Sequence, residues 1–129
     1  MNKVLIIEDD KILLEMYKDK FAKDGFEVQT AAEGQAGLEI MRTFHPDIVL
    51  LDLIMPNVSG FELLKLVKQD QTINTIPIIV LTNIYADSED LVKNWGVAHF
   101  LLKSDYTPET IVEKVKNILQ LNAQKKSSQ

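Results

Sequence analysis

The sequence predicts a doubly wound α/β domain on a five-stranded parallel sheet, and two features of its apolar pattern carry that expectation. Five short apolar runs, KVLII at 3–7, FEVQT at 26–30, DIVLL at 47–51, PIIVL at 77–81 and AHFLL at 98–102, alternate with longer amphipathic stretches of helical spacing. The first, third and fourth runs are apolar almost throughout, which suits parallel strands covered by helices on both faces. The pattern is one strand–helix unit taken five times.

In the first helix Leu13, Met16, Tyr17 and Phe21 fall at helical intervals, and Gly25 supplies a left-handed stop. A second helix is expected near 33–44, without a clear cap. The third follows Ser59, with Phe61, Leu64 and Val67 at three-residue intervals. The fourth is short, since DSEDLVKNWG leaves barely two turns between Ser88 and a terminating Gly96. In the fifth, Thr107 reads as the N-cap and Pro108 as the first helical residue, ahead of a stripe of Ile111, Val115, Ile118 and Leu119. One domain is expected over 1–121, with the polar stretch 122–129 as a tail or the start of a linker.

Composition removes several function classes. A chain of 129 residues, 46% hydrophobic, is long enough for one real core. The absence of cysteine excludes a disulfide framework, a thiol nucleophile and a cysteine-type zinc site, and it suggests a reducing, cytoplasmic setting. No stretch approaches the roughly 18 apolar residues of a membrane span. The net charge of -5, with no basic cluster beyond QKKSSQ at the end, argues against direct nucleic-acid binding. With two histidines, His45 and His99, neither is assigned a role.

In open parallel sheets, ligands bind beyond the carboxyl ends of the strands. Here the first strand runs into Glu8, Asp9 and Asp10, the third into Asp52 within IVLLDLIMPNVSG, the fourth into Thr82 and the fifth into Lys103. Each has an ordinary explanation when taken alone. Asp10 suits a helix N-cap, Asp52 could hold the turn before Pro56 and Gly60, Thr82 has β propensity, and Lys103 could be a solvated charge. Together they crowd carboxylates at one edge, where only cations relieve the repulsion. Oxygen donors without thiolates favour Mg²⁺.

This set resembles the receiver domain of the two-component response-regulator family: the Glu8–Asp9 pair, Asp52 followed by Met55, Pro56 and Gly60, Thr82 after IIVL, Phe100, and Lys103. The resemblance covers residues 1–121. It implies a flavodoxin-like (βα)5 fold with strand order 2-1-3-4-5. It further implies that Asp52 is the phosphorylated nucleophile and that Asp9, the Asp52 carboxylate and the Ile54 backbone carbonyl hold Mg²⁺, with Glu8 assisting through water. Lys103 would neutralise a phosphoryl oxygen. Thr82 and Phe100 would form the switch that alters the surface of the fourth helix, fifth strand and fifth helix. The implied partners are a sensor histidine kinase or phosphotransfer protein, a downstream protein, and a second copy of the chain on phosphorylation. Such a protein catalyses its own phosphorylation and dephosphorylation as a signalling switch, and a stand-alone regulator acting through protein contacts is the expectation.

Two features depart from the family or vary within it. Ser104 stands where the family usually has a proline joined by a cis peptide, and cis bonds to other residues cost about 3 kcal/mol, so the isomer of that bond is left open. Ile54 and Ile84 occupy the two positions that in the family flank the phosphoryl group, and both are bulky and apolar. Two alternatives belong to other classes. A haloacid-dehalogenase-like phosphatase needs a second aspartate two positions after the nucleophile, where Ile54 stands, and a flavodoxin-type nucleotide binder needs a glycine-rich loop that EGQAG does not supply. A receiver-like interaction module that is never phosphorylated is a third reading, against which the intact acid set speaks.

Overall fold

The computed structural model describes residues 2–55, 57–83 and 88–127. In chain order the elements are β1 (Lys3–Ile7), α1 (Lys11–Lys23), β2 (Glu27–Ala31), α2 (Gly34–Phe44), β3 (Ile48–Leu51), α3 (Gly60–Gln69), β4 (Ile78–Thr82), α4 (Ser88–Trp95), β5 (His99–Leu102) and α5 (Pro108–Ser127), with a short 3₁₀ turn at Lys103–Asp105. The strands form one parallel sheet in the order β2-β1-β3-β4-β5.

Alternation along the strands divides the core into two layers. Leu5, Ile7, Val49, Leu51, Ile78 and Val80 face one side and pack with Leu38, Met41, Leu63, Leu64 and Leu91 of α2, α3 and α4. Val4, Ile6, Ile48, Leu50, Ile79 and Leu81 face the other side, against Leu14, Tyr17 and Phe21 of α1 and Ile111, Val112 and Val115 of α5. The three inner strands are buried on both faces for this reason, whereas edge strand β2 alternates exposed and covered residues along Glu27–Ala31.

The helix ends follow from local chemistry. Asp10 caps α1, its carboxylate accepting from the backbone N–H of Ile12 at 3.1 Å and Leu13 at 3.2 Å. Gly25 ends the same helix at φ 92, a conformation a side chain would strain. Ser59 Oγ accepts from the Glu62 N–H at 3.2 Å at the start of α3. Thr107 and Thr110 cap α5 reciprocally: the Thr110 N–H donates to Thr107 Oγ1 at 3.2 Å and the Thr107 N–H to Thr110 Oγ1 at 2.8 Å.

Three sequence expectations need correction. The buried stripe of α1 is Leu14, Tyr17 and Phe21, whereas Met16 is 48% exposed. Leu13 and Leu14 allow two phases for the stripe, and packing against β1, β3 and α5 selects the second. In α3 it is Leu63, Leu64 and Val67 that are buried, while Phe61 is half-buried against Trp95 of α4. Finally, α5 continues past position 121 to Ser127, because LQLNAQKK holds neither Pro nor Gly and a polar stretch of helix-forming residues remains helical in water.

Gly60 lies so close to the turn after β3 that a Cβ there would come within 2.5 Å of both the Asp52 carbonyl oxygen and the Leu53 Cα. Those are backbone atoms and cannot swing away. Gly60→Ala is expected to lose about 1–3 kcal/mol by overpacking, although alanine is the better helix former by about 1 kcal/mol. Urea denaturation tests this, and a variant as stable as the parent would refute the close approach.

Candidate functional site at the carboxyl edge of the sheet

The sheet ladder itself delivers the acids. Beyond the last paired residue of β1, the Glu8 N–H donates to the Ala31 carbonyl at 3.0 Å, and the Asp52 N–H donates to the Ile7 carbonyl at 3.1 Å. The backbone of both acids is thus fixed by neighbouring strands before any side chain interacts. Thr82 is the last residue of β4, paired in register with Leu102, and Lys103 follows directly in the 3₁₀ turn. Glu8, Asp52 and Thr82 are the buried polar side chains of the described residues, and Asp9 is exposed.

Lys103 joins the acids. Its Nζ donates to Asp52 Oδ2 at 2.9 Å and to Glu8 Oε1. The other Asp52 oxygen, Oδ1, accepts from the Ile54 N–H at 3.2 Å, so this carboxylate also holds the turn as a lone aspartate would. Glu8 Oε2 is buried and has no hydrogen-bond partner. A buried acceptor without a partner is costly. Glu8, Asp9 and Asp52 each offer a carboxylate oxygen, all lying within 4.8 Å of one another. Hard oxygens with no sulfur or imidazole fit a hard divalent cation such as Mg²⁺.

The electrostatics separate the two buried acids. Burial, followed by the neighbouring Asp52 carboxylate, pushes Glu8 up from 4.5 to about 8 against the pull of Lys103. Burial also works to raise Asp52, but its side-chain interactions with Glu8 and Lys103 outweigh that and hold it below its ordinary 3.8. Lys103 is opposed by burial too, yet its hydrogen bonds to Glu8 and then Asp52 raise it. At neutral pH the edge therefore holds an ionised Asp52, a protonated Glu8 and a charged Lys103. Tyr17, read from the sequence only as part of an apolar stripe, lies in the field of this cluster; burial pushes its phenol up to about 12, and it stays neutral.

The structure brings together five of the residues singled out from the sequence, namely Glu8, Asp9, Asp52, Ile54 and Lys103, with Thr82 at the adjoining strand end. Asp10 stands apart as the α1 cap. Phe100 is half-buried and packs against the α2–α3–α4 side of the core. The Lys103–Ser104 peptide is trans, and the 3₁₀ turn that begins at Lys103 accompanies the reach of its ammonium to both acids. Pro56 and Ile84 lie outside the described residues. One contact had no sequence signal: Asn57 Nδ2 donates to Glu33 Oε2 at 3.3 Å, joining the turns before α2 and α3.

Comparison with known proteins gives the same picture. Residues 4–116 match the family model described as the response regulator receiver domain. The polar-differentiation response regulator DivK of Brucella ovis is 29% identical over 117 residues, covering 90% of this chain and 94% of that protein. Among solved structures, the chemotaxis protein CheY4 of Vibrio cholerae superposes with a TM-score of 0.81 at 29% identity, over 91% of this chain and 98% of that one. A CheY-like response regulator receiver domain protein from Methanospirillum hungatei gives 0.84 at 27% identity, over 97% and 98%. The matched span takes in β2 to β5 whole, β1 from its second residue, and every acid of the carboxyl edge, and the chain belongs to the response regulator receiver domain family.

Proposed function

We propose that this receiver accepts a phosphoryl group onto Asp52 from the phosphohistidine of a sensor histidine kinase or phosphotransfer protein, in a Mg²⁺-dependent reaction in the cytoplasm. The observation that carries the reading is a buried carboxylate kept ionised between the Lys103 ammonium and the Ile54 N–H, beside an unpaired Glu8 oxygen. A carboxylate with a lowered pKa is present as the nucleophilic form at any physiological pH. In the transfer an Asp52 oxygen bonds to phosphorus, the phosphorus–nitrogen bond breaks, and the imidazole keeps the electron pair. Little covalent chemistry is required of the protein beyond positioning and charge. Asp9, Asp52 and the Ile54 carbonyl would hold the cation, with Glu8 behind them, and the bound ion supplies positive charge against the phosphoryl oxygens.

Lys103 is already aimed at the reacting carboxylate, and it exchanges that partner for a phosphoryl oxygen as the product forms. Thr82 adjoins the same edge and offers a hydroxyl to the new acceptors. Phe100, on the strand beside it, responds to the movement of Thr82, and the surface of α4, β5 and α5 changes for a downstream protein or a second copy of the chain. The phosphatase reading has no support here, since Ile54 stands where its second acid is needed. Among the described residues no helix is long and apolar enough to cross a membrane.

Asp52→Asn should abolish the one-phosphoryl mass increase that a small phosphodonor with Mg²⁺ produces in the parent. Undiminished labelling of the variant, read by intact mass, would place the nucleophile elsewhere.

The pKa directions fix a pH signature for the metal-free fold. Between about 4.5 and about 8 the native state keeps a proton on Glu8 that the unfolded chain has lost, so stability falls as pH rises through that window. Asp52, held below 3.8, gives the opposite trend only in more acid solution, where stability is lost as it protonates. Melting temperature in EDTA should therefore drop from pH 5 to pH 8, and Glu8→Gln should flatten the drop. Added Mg²⁺ should recover more stability at pH 8 than at pH 5, where the Glu8 proton competes with it. A parent curve flat over this range would refute the assignment.

The Ile54 side chain is 58% exposed beside the acceptor. An apolar branched group there can exclude an attacking water but cannot orient it. Ile54→Asn should dephosphorylate faster than the parent at saturating Mg²⁺, and equal rates with folding intact would show that the side chain plays no part.

A further inference from the structure

Glu33 occupies the N-cap of α2 yet makes no capping hydrogen bond with its side chain. Its carboxylate is used elsewhere, accepting at 3.3 Å from the side-chain amide of Asn57, 24 residues away in the connection between β3 and α3. Asn57 sits at φ 67, in the left-handed region that asparagine enters more readily than other residues besides glycine. The surroundings here are close indeed: a Cβ on Gly34, the residue after Glu33, would come within 2.7 Å of the Val58 carbonyl oxygen. The two turns lie backbone against side chain with no room to slide.

That connection also presents the reacting groups. It starts at Asp52, whose Oδ1 accepts from the Ile54 N–H, and closes with the Gly60 N–H donating to the Leu53 carbonyl at 2.9 Å. Asp52 is anchored on its strand side by Ile7 and Lys103. Beyond it Leu53 and Met55 pack into the core, and the outer part of the connection at Asn57 is tied to the β2–α2 turn by the Glu33–Asn57 bond. We propose that Glu33 is a positioning residue for the metal site, acting through Asn57 to hold the β3–α3 connection in the geometry that presents the Asp52 and Ile54 oxygens; this rests on the metal reading above. Glu33 touches neither the metal nor the phosphoryl group. Its removal acts on metal affinity and leaves the chemistry of a loaded site alone.

The test compares Glu33→Ala, Glu33→Gln, Asn57→Gly and the double variant Glu33→Ala/Asn57→Gly in the full chain, using Mg²⁺ alone as ligand and calorimetry as the measurement. Glutamine removes the charge but keeps an oxygen that can accept from Asn57, and glycine at 57 removes the amide without opposing the positive φ. Glu33→Ala should weaken Mg²⁺ binding by roughly three- to tenfold, the scale of one net hydrogen bond. Glu33→Gln should bind within about twofold of the parent, and the double variant should be no weaker than Asn57→Gly alone. The rate of phosphorylation by a small phosphodonor should drop at limiting Mg²⁺ and recover at saturation. Amide exchange at Ile54 and Gly60 should quicken in Glu33→Ala and not in Glu33→Gln. Equal loss in Glu33→Ala and Glu33→Gln would assign the effect to charge and overturn the proposal, as would unchanged binding and exchange in Glu33→Ala. If the parent itself ignores Mg²⁺, the metal reading falls, and the exchange rates still decide whether Glu33 positions the connection.

Discussion

Two carboxyl groups and one ammonium group share a buried edge, and the rest of the fold is arranged around keeping them there. Taking a charge out of water costs several kcal/mol even after relaxation, and only well-placed partners offset it. Glu8 and Asp52 end adjacent strands, β1 and β3, so neither can move away from the other without breaking the sheet. Their partner has to come from a third element. Lys103 arrives from the end of β5, two strands from β3 across β4, and its reach closes the edge. The order β2-β1-β3-β4-β5 is what brings an acid pair, an acid, a hydroxyl and a lysine from distant parts of the chain to one place.

The same constraint sets the two buried acids apart electrostatically. Two acids this close to one cation do not ionise equally. Asp52 has Lys103 on one oxygen and the Ile54 N–H on the other, so its charge is compensated on both sides. Glu8 has Lys103 on one oxygen only, and burial, followed by its interaction with the neighbouring Asp52, pushes it up to about 8. The buried Glu8 oxygen without a protein partner stands among hard oxygen donors of the kind a divalent cation takes.

Much of this was legible in the sequence because strand ends leave a strong trace. Apolar runs marked β1, β3 and β4 within a residue, and the residue types that terminate them pointed to an acidic, metal-binding edge before any geometry was available. What could not be read has a common physical cause, since it was decided by tertiary contacts with no local pattern. The phase of the α1 stripe turned on Leu13 against Leu14, which are equally apolar. The Glu33–Asn57 bond joins two turns whose sequences carry no mark of each other. The Lys103–Ser104 bond, whose isomer the sequence left open, is trans, the form favoured by about 3 kcal/mol before a residue other than proline, and Lys103 still reaches both acids.

Register decides where a change at the edge can travel. Alternation along β4 places Thr82 on the same face as Val80, and Val80 is paired with Phe100 on β5. That face belongs to α2, α3 and α4; the intervening Leu81 and Leu101 point to α1 and α5. Thr82 therefore stands on the α4 side of the sheet, away from the layer of α1 and α5. The α4 side is also where contacts are least like a core. Phe61 and Trp95 meet edge to face at 5.8 Å, both only half-buried, and Lys68 of α3 reaches the Asn94 carbonyl at 2.7 Å near the end of α4. These two contacts are partly solvated, whereas Leu91 of the same helix is buried in the core. The sheet that holds the acids and the α3–α4 contacts on the Thr82 side of it are built differently, the first from buried inner strands and the second with half-buried rings and an exposed lysine.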